Sequence, residues 1–348
     1  MVSGMSAKKF VVVGLWLAVA VCGWAVEVQS LRVATWNVGN FFDAVQDETN
    51  PHDDYYPTSW RRWTEARYQK KTENLAIVIA AMKADIVCIQ EVENRDVLTN
   101  LTQKIRGLPK GAMDFPYIAY KLSQDRRKIS NAVISRYPIT GYDVVQHVSG
   151  MRGMLRADVA VDGTEVSVFV THWKSWVGDA RQNNAIRMLE ARGVRREVDA
   201  FLEKTPTGTL VVCGDFNDNV DGVSITNGLF AVMCQAMVME NPEKRYLYNT
   251  LAELPEKERG AYYYARYKVW NTFDSLMVTA AMLAPATEKG ASWRFVPKST
   301  TVFRYKDMVG ADGRPRPFQR IRLKDGTDKY DEGYSDHFPV YIDLKRQK

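Results

Sequence analysis

An α/β architecture of two mixed β-sheets covered by helices is what this sequence predicts, and three observations lead there. Apolar, β-branched runs recur along the chain at strand length. Long stretches of helical spacing interrupt them at several points, so helix-rich connections alternate with hairpin-like ones. Several of the runs end in Asn, Asp, Glu or His, and strand ends are where such sheets collect their chemistry.

Taken in order, strands are expected at Arg32–Trp36, Ile86–Ile89, Ala132–Ser135, Ala157–Val161, Val166–Thr171, Leu210–Cys213, Asp274–Thr279 and Phe338–Leu344. Helices are expected at Trp63–Met82, Asp96–Ile105 and Ala180–Glu203. In the first of these, Leu75, Val78, Ile79 and Met82 recur at the spacing that gives one buried face. Asp43–Trp60 is acidic and aromatic, carries two prolines and reads as a long loop. Thr301–Tyr334 also reads as a loop, and its arginines and lysines could recruit polyanions. There is no internal repeat. The motifs described below run from Asn37 to His337, so 26–348 is expected to be one catalytic domain within the 348-residue chain.

Residues 1–25 read as a signal peptide: Ala7-Lys8-Lys9 precedes the apolar stretch Phe10 to Ala25, with cleavage expected after Ala25. Cys22 offers a second reading as a lipidated cysteine, and so as a membrane attachment, although Val21 is larger than the residue usual before such a site. A retained anchor is the third, since the stretch is short for a spanning helix. Each places the protein outside the cytoplasm, in the periplasm, at the cell surface or secreted. After cleavage Cys88, Cys213 and Cys234 remain, an odd set without regular spacing that does not form a disulfide framework. Cys88 and Cys213 sit in apolar runs and read as small core residues. The formal charge of +6 favours an anionic substrate without requiring nucleic acid. No obligate protein partner is evident.

The chemistry concentrates at the strand ends. Leu210–Cys213 emerges into Gly214-Asp215-Phe216-Asn217, where alternation puts Asp215 and Asn217 on one side of the chain. The first strand leads into Asn37 and the second into Gln90-Glu91. Hydrolysis of a phosphate ester needs neutralised phosphoryl oxygens, an activated water and help for the leaving group. Glu91 is the best metal-ligand candidate, because Mg²⁺ takes few carboxylates and keeps several waters. Asn37 can hold the carboxylate or a ligand water, while Asp215 and Asn217 can position water and phosphate. Of the four histidines, His172 closes one strand and His337 opens another beside Asp336. His52 and His147 fall in irregular stretches and read as surface residues. Asp274, at a strand start, is suited to orient His337.

The ordered set Thr35-Trp36-Asn37, Ile89-Gln90-Glu91, Ser135-Arg136-Tyr137-Pro138-Ile139, Thr171-His172-Trp173-Lys174-Ser175, Gly214-Asp215-Phe216-Asn217, Phe273-Asp274 and Ser335-Asp336-His337 resembles the endonuclease/exonuclease/phosphatase superfamily, the metal-dependent phosphoesterases related to pancreatic deoxyribonuclease. The resemblance covers most of the mature chain and implies a four-layer α/β sandwich, two sheets face to face with helices outside. It implies that Asn37, Glu91 and Asp336 serve the metal, that Asp215 and Asn217 position water and phosphate, and that His337 is a base oriented by Asp274. His172 matches a histidine used on the phosphate or leaving group. Asn37-Val38-Gly39-Asn40-Phe41-Phe42-Asp43, the stretch Trp63 to Lys71, and Glu91-Val92-Glu93-Asn94 look like an exported bacterial subgroup, in which a glutamate often stands where this chain has Gly39. If that glutamate assists the metal, cation affinity and second-ion use differ here.

The leading expectation is therefore an exported, Mg²⁺-dependent phosphodiesterase, Mn²⁺ or Ca²⁺ being the alternative ions, with nucleic acid, DNA first, as substrate. A second keeps the chemistry and changes the substrate to sphingomyelin or an inositol phosphate, for which Tyr262-Tyr263-Tyr264, Tyr267 and Trp270 could form an aromatic rim. A third, a non-catalytic binding protein of the same fold, is disfavoured because every expected catalytic residue is present.

Overall fold

Two seven-stranded mixed sheets form the body of the protein. The computed structural model describes Met1 and residues 28–109, 113–285 and 290–347. The expected leader, its cleavage site and Cys22 lie outside the described residues. Among the described residues no helix is long and apolar enough to cross a membrane.

The first sheet contains β1 (Ser30–Phe41), β2 (Ile86–Val92), β3 (Tyr117–Tyr120), β4 (Ser130–Ser135), β14 (Trp293–Phe295), β15 (Thr301–Val302) and β18 (Val340–Arg346). Its order is β14-β18-β1-β2-β4-β3, with β15 also paired to β18. The second contains β5 (Ile139–Val145), β6 (Met154–Val161), β7 (Thr164–His172), β8 (Thr209–Asp215), β9 (Ala231–Val232), β10 (Leu247–Asn249) and β13 (Asp274–Val278), in the order β5-β6-β7-β8-β13-β10-β9. Two hairpins stand apart: β11 (Tyr262–Tyr264) with β12 (Val269–Asn271), and β16 (Phe318–Arg322) with β17 (Asp328–Glu332).

Each sheet has a parallel pair near its centre, β1 with β2 and β7 with β8. A parallel pair needs a long crossover, usually helical. Helix α1 (Glu65–Met82) lies in the first crossover and α3 (Ala180–Lys204) in the second, with α2 (Arg95–Arg106) packed beside α1. All three helices start where the sequence supplies a capping side chain: Thr64, Asn94 and Asp179 accept from the backbone N–H of Arg67, Val97 and Gln182. Alternation along β8 then builds two cores. Val211 and Cys213 face the opposing sheet, whereas Leu210 and Val212 pack with Val194, Val198 and Phe201 of α3. Burying each such valine contributes roughly 1.5–3 kcal/mol. Helix, sheet, sheet and helix thus make the expected four layers. Cys88 and Cys213 are buried free thiols that meet between the sheets.

The Arg-rich segment Thr301–Tyr334 is not a loop. It holds β15 and the β16–β17 hairpin, and its cations are largely paired, Arg320 and Arg322 with Asp328 and Arg316 with Asp331. Phe318 and Tyr330 pack against Trp63 at centroid distances of 5.4 and 6.3 Å, which anchors the hairpin to the segment leading into α1. His147 also differs from expectation. It lies against Gly193 of α3, and burial, with Arg196 nearby, pushes its imidazole down to about 4.

Candidate active site

Because each parallel pair runs in one direction, the C-terminal ends of β1, β2, β7 and β8 reach one rim of the sandwich. His172 is registered with Asp215, and antiparallel β13 sets Asp274 opposite Asp215 as well. Gly214 makes this possible. Its φ is +137°, and a Cβ there would lie 1.9 Å from the Thr171 carbonyl oxygen on the neighbouring strand. Only glycine lets β7 and β8 approach that closely.

A hydrogen-bonded network joins the two sheets at this rim. The Asn37 amide donates to Asp215 Oδ2 (2.9 Å) and Glu91 Oε1 (3.3 Å). Glu91 Oε2 accepts from the Asn40 backbone N–H at 2.7 Å. Glu91 and Asn217 both adopt left-handed backbone, at φ of 66° and 47°. Such conformations cost about 1–3 kcal/mol and persist where surrounding bonds dictate them. Asn217 therefore leaves the strand instead of continuing its alternation: its N–H donates to Asp215 Oδ1 and its amide to the Trp173 carbonyl. His337 Nδ1 lies 2.7 Å from Asp274 Oδ2, while its Nε2 lies 3.9 Å from Asp215 Oδ2. His172 Nε2 approaches the same Asp215 oxygen at 3.4 Å and Glu91 Oε1 at 3.9 Å. Trp36 and Ser335 fix the last segment, through bonds to the His337 carbonyl and from Ser335 Oγ to the Asn37 carbonyl.

Burial sets the electrostatics. Burial alone would lower His337, but the charge and hydrogen bond of Asp274, with Asp336 and Asp215, lift it to about 10. Burial raises Asp215 to about 6, partly opposed by His337 and Asn37. His172 is driven well below its usual value by burial, with Arg152, His337 and Arg127 adding to the effect. For Glu91 burial acts upward, yet Arg127, Arg152 and His337 outweigh it and hold the carboxyl below its ordinary range.

Asn37, Glu91, His172, Asp215, Asn217, Asp336 and His337 all line one pit of ≈ 210 Å³, with Asp274 buried directly behind His337. The pit opens beside a cavity of ≈ 750 Å³ through Tyr262, Tyr264 and Asp336. On its other side it adjoins one of ≈ 570 Å³ through Trp176, Val177 and Tyr264. Sequence reasoning missed Arg127, which lines the pit and donates to Asn40 Oδ1. It comes from the turn before β4, without a motif to mark it. It also missed Lys71, fully buried on α1 and donating to the Gly39 carbonyl near Glu91 and Asp336. The helical spacing that reveals apolar neighbours gives no signal for a buried lysine. Tyr262 stacks on His337 at 4.5 Å, so this aromatic belongs to the pit wall.

The donor set fits a divalent ion of the Mg²⁺ type. Among the described residues no group of three or more His, Cys, Asp or Glu side chains is arranged to hold a metal ion by itself. Glu91 and Asp336 instead bring two carboxylates to an open pit, the small number of oxygen donors that Mg²⁺ uses while keeping its waters. The Asn37 NH₂ holds the Glu91 carboxylate while its oxygen accepts from the Gly39 N–H.

Comparison with solved structures gives the same fold at low sequence identity. The beta toxin from Staphylococcus aureus, a mutant with bound magnesium ions, matches at a TM-score of 0.53 and 14% identity, covering 92% of this chain and 100% of that one. A humanized D. rerio TDP2 matches at 0.54 and 14%, covering 91% and 99%. An endonuclease/exonuclease/phosphatase family protein from Bacteroides thetaiotaomicron matches at 0.52 and 14%, covering 90% and 97%. No curated protein sequence matches the chain. The sequence profile described as "Endonuclease/Exonuclease/phosphatase family" matches residues 32–346. With nearly all of the described fold inside that match, the chain belongs to the endonuclease/exonuclease/phosphatase family of metal-dependent phosphoester hydrolases.

Proposed function

We propose that the protein is an exported, Mg²⁺-dependent phosphodiesterase with nucleic acid, DNA first, as its substrate. The observation that carries the reading is the Asp274–His337 pair set against the Asn37–Glu91–Asp215 network in one pit. Bound at Glu91 and Asp336, the ion would neutralise charge developing on the phosphoryl oxygens. Asp215, titrating near 6, is ionised at neutral pH and takes the proton of the attacking water. His337, raised by the charge and hydrogen bond of Asp274, is read as the imidazolium and so as donor to the phosphoryl group, the base role implied by the family resemblance being the alternative that its pH profile decides. Asn217 and Arg127 hold the phosphate, and neutral His172 faces the same oxygens.

The N-terminal Ala7-Lys8-Lys9 and the apolar run after it support export, with the mature domain beginning at residue 26 or the chain lipidated at Cys22. N-terminal sequencing of the protein recovered from fractionated cells would decide between these. A lipid or inositol phosphate substrate is the second reading, favoured by exposed Tyr267, Val269 and Trp270 around the β11–β12 turn. The deciding assay offers plasmid DNA, RNA, sphingomyelin vesicles and inositol phosphates with Mg²⁺, using Glu91→Ala as the blank. Turnover of DNA that disappears in the variant is expected. Turnover of sphingomyelin without DNA would replace the substrate, and an active Glu91→Ala protein would remove the assignment.

A further inference from the structure

The ≈ 570 Å³ cavity beside the pit is within the range of small-molecule sites, about 300–1,000 Å³. Three rings bound it: Trp176, Tyr264 and Tyr267, with Tyr264 edge-on to both others at 5.9 and 5.2 Å. Polar groups occupy much of the remaining wall, beside Val177, Gly178 and Ala180. Arg187 is 4% exposed, spends Nη1 on the Lys174 carbonyl and Nη2 on Asn184, and has no partner for its Nε among the described residues. Asn184, an exposed residue, accepts that bond with its oxygen, and its NH₂ makes no bond among the described residues. Asp218 is held by Ser224 and the Asn219 N–H. The cavity is also tied to the reaction centre, since Trp176 Nε1 donates to the Asn217 carbonyl at 2.7 Å.

Resting on the phosphodiesterase reading, we propose that this cavity is a nucleobase subsite, holding the base attached to the phosphate in the pit. Ring faces stack on a base whatever its identity, while amide, guanidinium and carboxylate groups address its edge. The same rings could in principle receive the quaternary ammonium of a phospholipid headgroup. Two guanidiniums, Arg187 and Arg266, share this wall with only one carboxylate, Asp218, and repel such a cation. The subsite therefore selects nucleotides over choline esters. Because Trp176 connects its wall to Asn217, a seated base also fixes the backbone that positions the phosphate.

The test separates binding from turnover. Glu91→Ala protein in Mg²⁺ is titrated with AMP, CMP, ribose 5-phosphate and phosphocholine, read by tryptophan fluorescence. A stacked base contributes about 1–3 kcal/mol, so at least one nucleotide should bind about tenfold or more tighter than ribose 5-phosphate and phosphocholine. The Asn184→Ala, Tyr267→Ala double variant should lose most of that advantage. Equal affinity for nucleotides and ribose 5-phosphate, or tighter binding of phosphocholine, overturns the subsite, as does an unchanged advantage in the double variant. Hydrolysis of bis(p-nitrophenyl) phosphate by the unaltered protein is measured alongside. Its absence would sink the phosphodiesterase reading, while the binding ratios still judge the subsite.

Discussion

Asp274→Asn is the substitution that most directly interrogates the site. Asp274 is fully buried, and its Oδ2 lies 2.7 Å from His337 Nδ1. At an effective dielectric of ~20, unit charges at that separation attract by about 6 kcal/mol. At 1.36 kcal/mol per pH unit this corresponds to between four and five units. The exchange to asparagine preserves shape and removes the charge, enough to carry His337 from about 10 to below its ordinary 6.5. The imidazolium then becomes a minor species at pH 8, and kcat/KM falls by about two to three orders of magnitude there. The assay is hydrolysis of bis(p-nitrophenyl) phosphate at saturating Mg²⁺ from pH 5 to 10.5. The unaltered enzyme should show an acidic limb near 6, from Asp215, and an alkaline limb near 10, from His337. The variant should keep the first and lose the plateau between them. An unmoved alkaline limb with a rate within about threefold at pH 8 would refute the imidazolium role.

Further outcomes follow from the geometry. Gly214→Ala forces a Cβ onto the Thr171 carbonyl in left-handed backbone, a cost above about 3 kcal/mol. Calorimetry should show Tm lower by at least ~5 °C, and a shift below 1 °C would contradict the close approach of β7 and β8. His147 has a folded pKa of about 4, below its ordinary 6.5, so the unfolded chain binds the extra proton between those values. Stability is thus complete above pH 6.5 and declines as pH falls toward 4. His147→Asn should flatten that part of the pH–Tm curve, and an unaltered slope would assign it elsewhere. EDTA should abolish turnover and Mg²⁺ restore it, with far-UV circular dichroism constant throughout because the donors sit at the rim. Collapse of the spectrum on chelation would show the ion to be structural.

The strand-end motifs were readable because each catalytic group follows an apolar run. His172 and Asp215 end β7 and β8, and Glu91 and Asn37 lie toward the C-terminal ends of β2 and β1, strands that the sequence marks clearly. Which partner serves His337 was less accessible from neighbours in the chain. Asp336 is adjacent, yet β13 lies beside β8 and brings Asp274 to the imidazole from 63 positions away. Charge disguised the β16–β17 hairpin, because Arg320 pairs with Asp328 on the facing strand and Arg316, just before β16, with Asp331, while Phe318, Ile321 and Tyr330 carry the apolar signal. Arg127 and Arg187 act from a turn and a helix interior, and only three-dimensional proximity identifies them.

The reaction centre is divided between the two sheets. Asn37, Glu91, Asp336 and His337 travel with the first, and His172, Asp215, Asn217 and Asp274 with the second. Among the described residues no β-ladder joins the two sheets, whose backbones are linked at this rim through the β11–β12 hairpin, Tyr262 bridging to His337. Between them lies a layer of side chains that includes Cys88 and Cys213. That layer is a spacer, and its thickness calibrates the distance from Glu91 to Asp215. A methyl group gained or lost deep in the sandwich can detune hydrolysis in a protein that still melts as one unit.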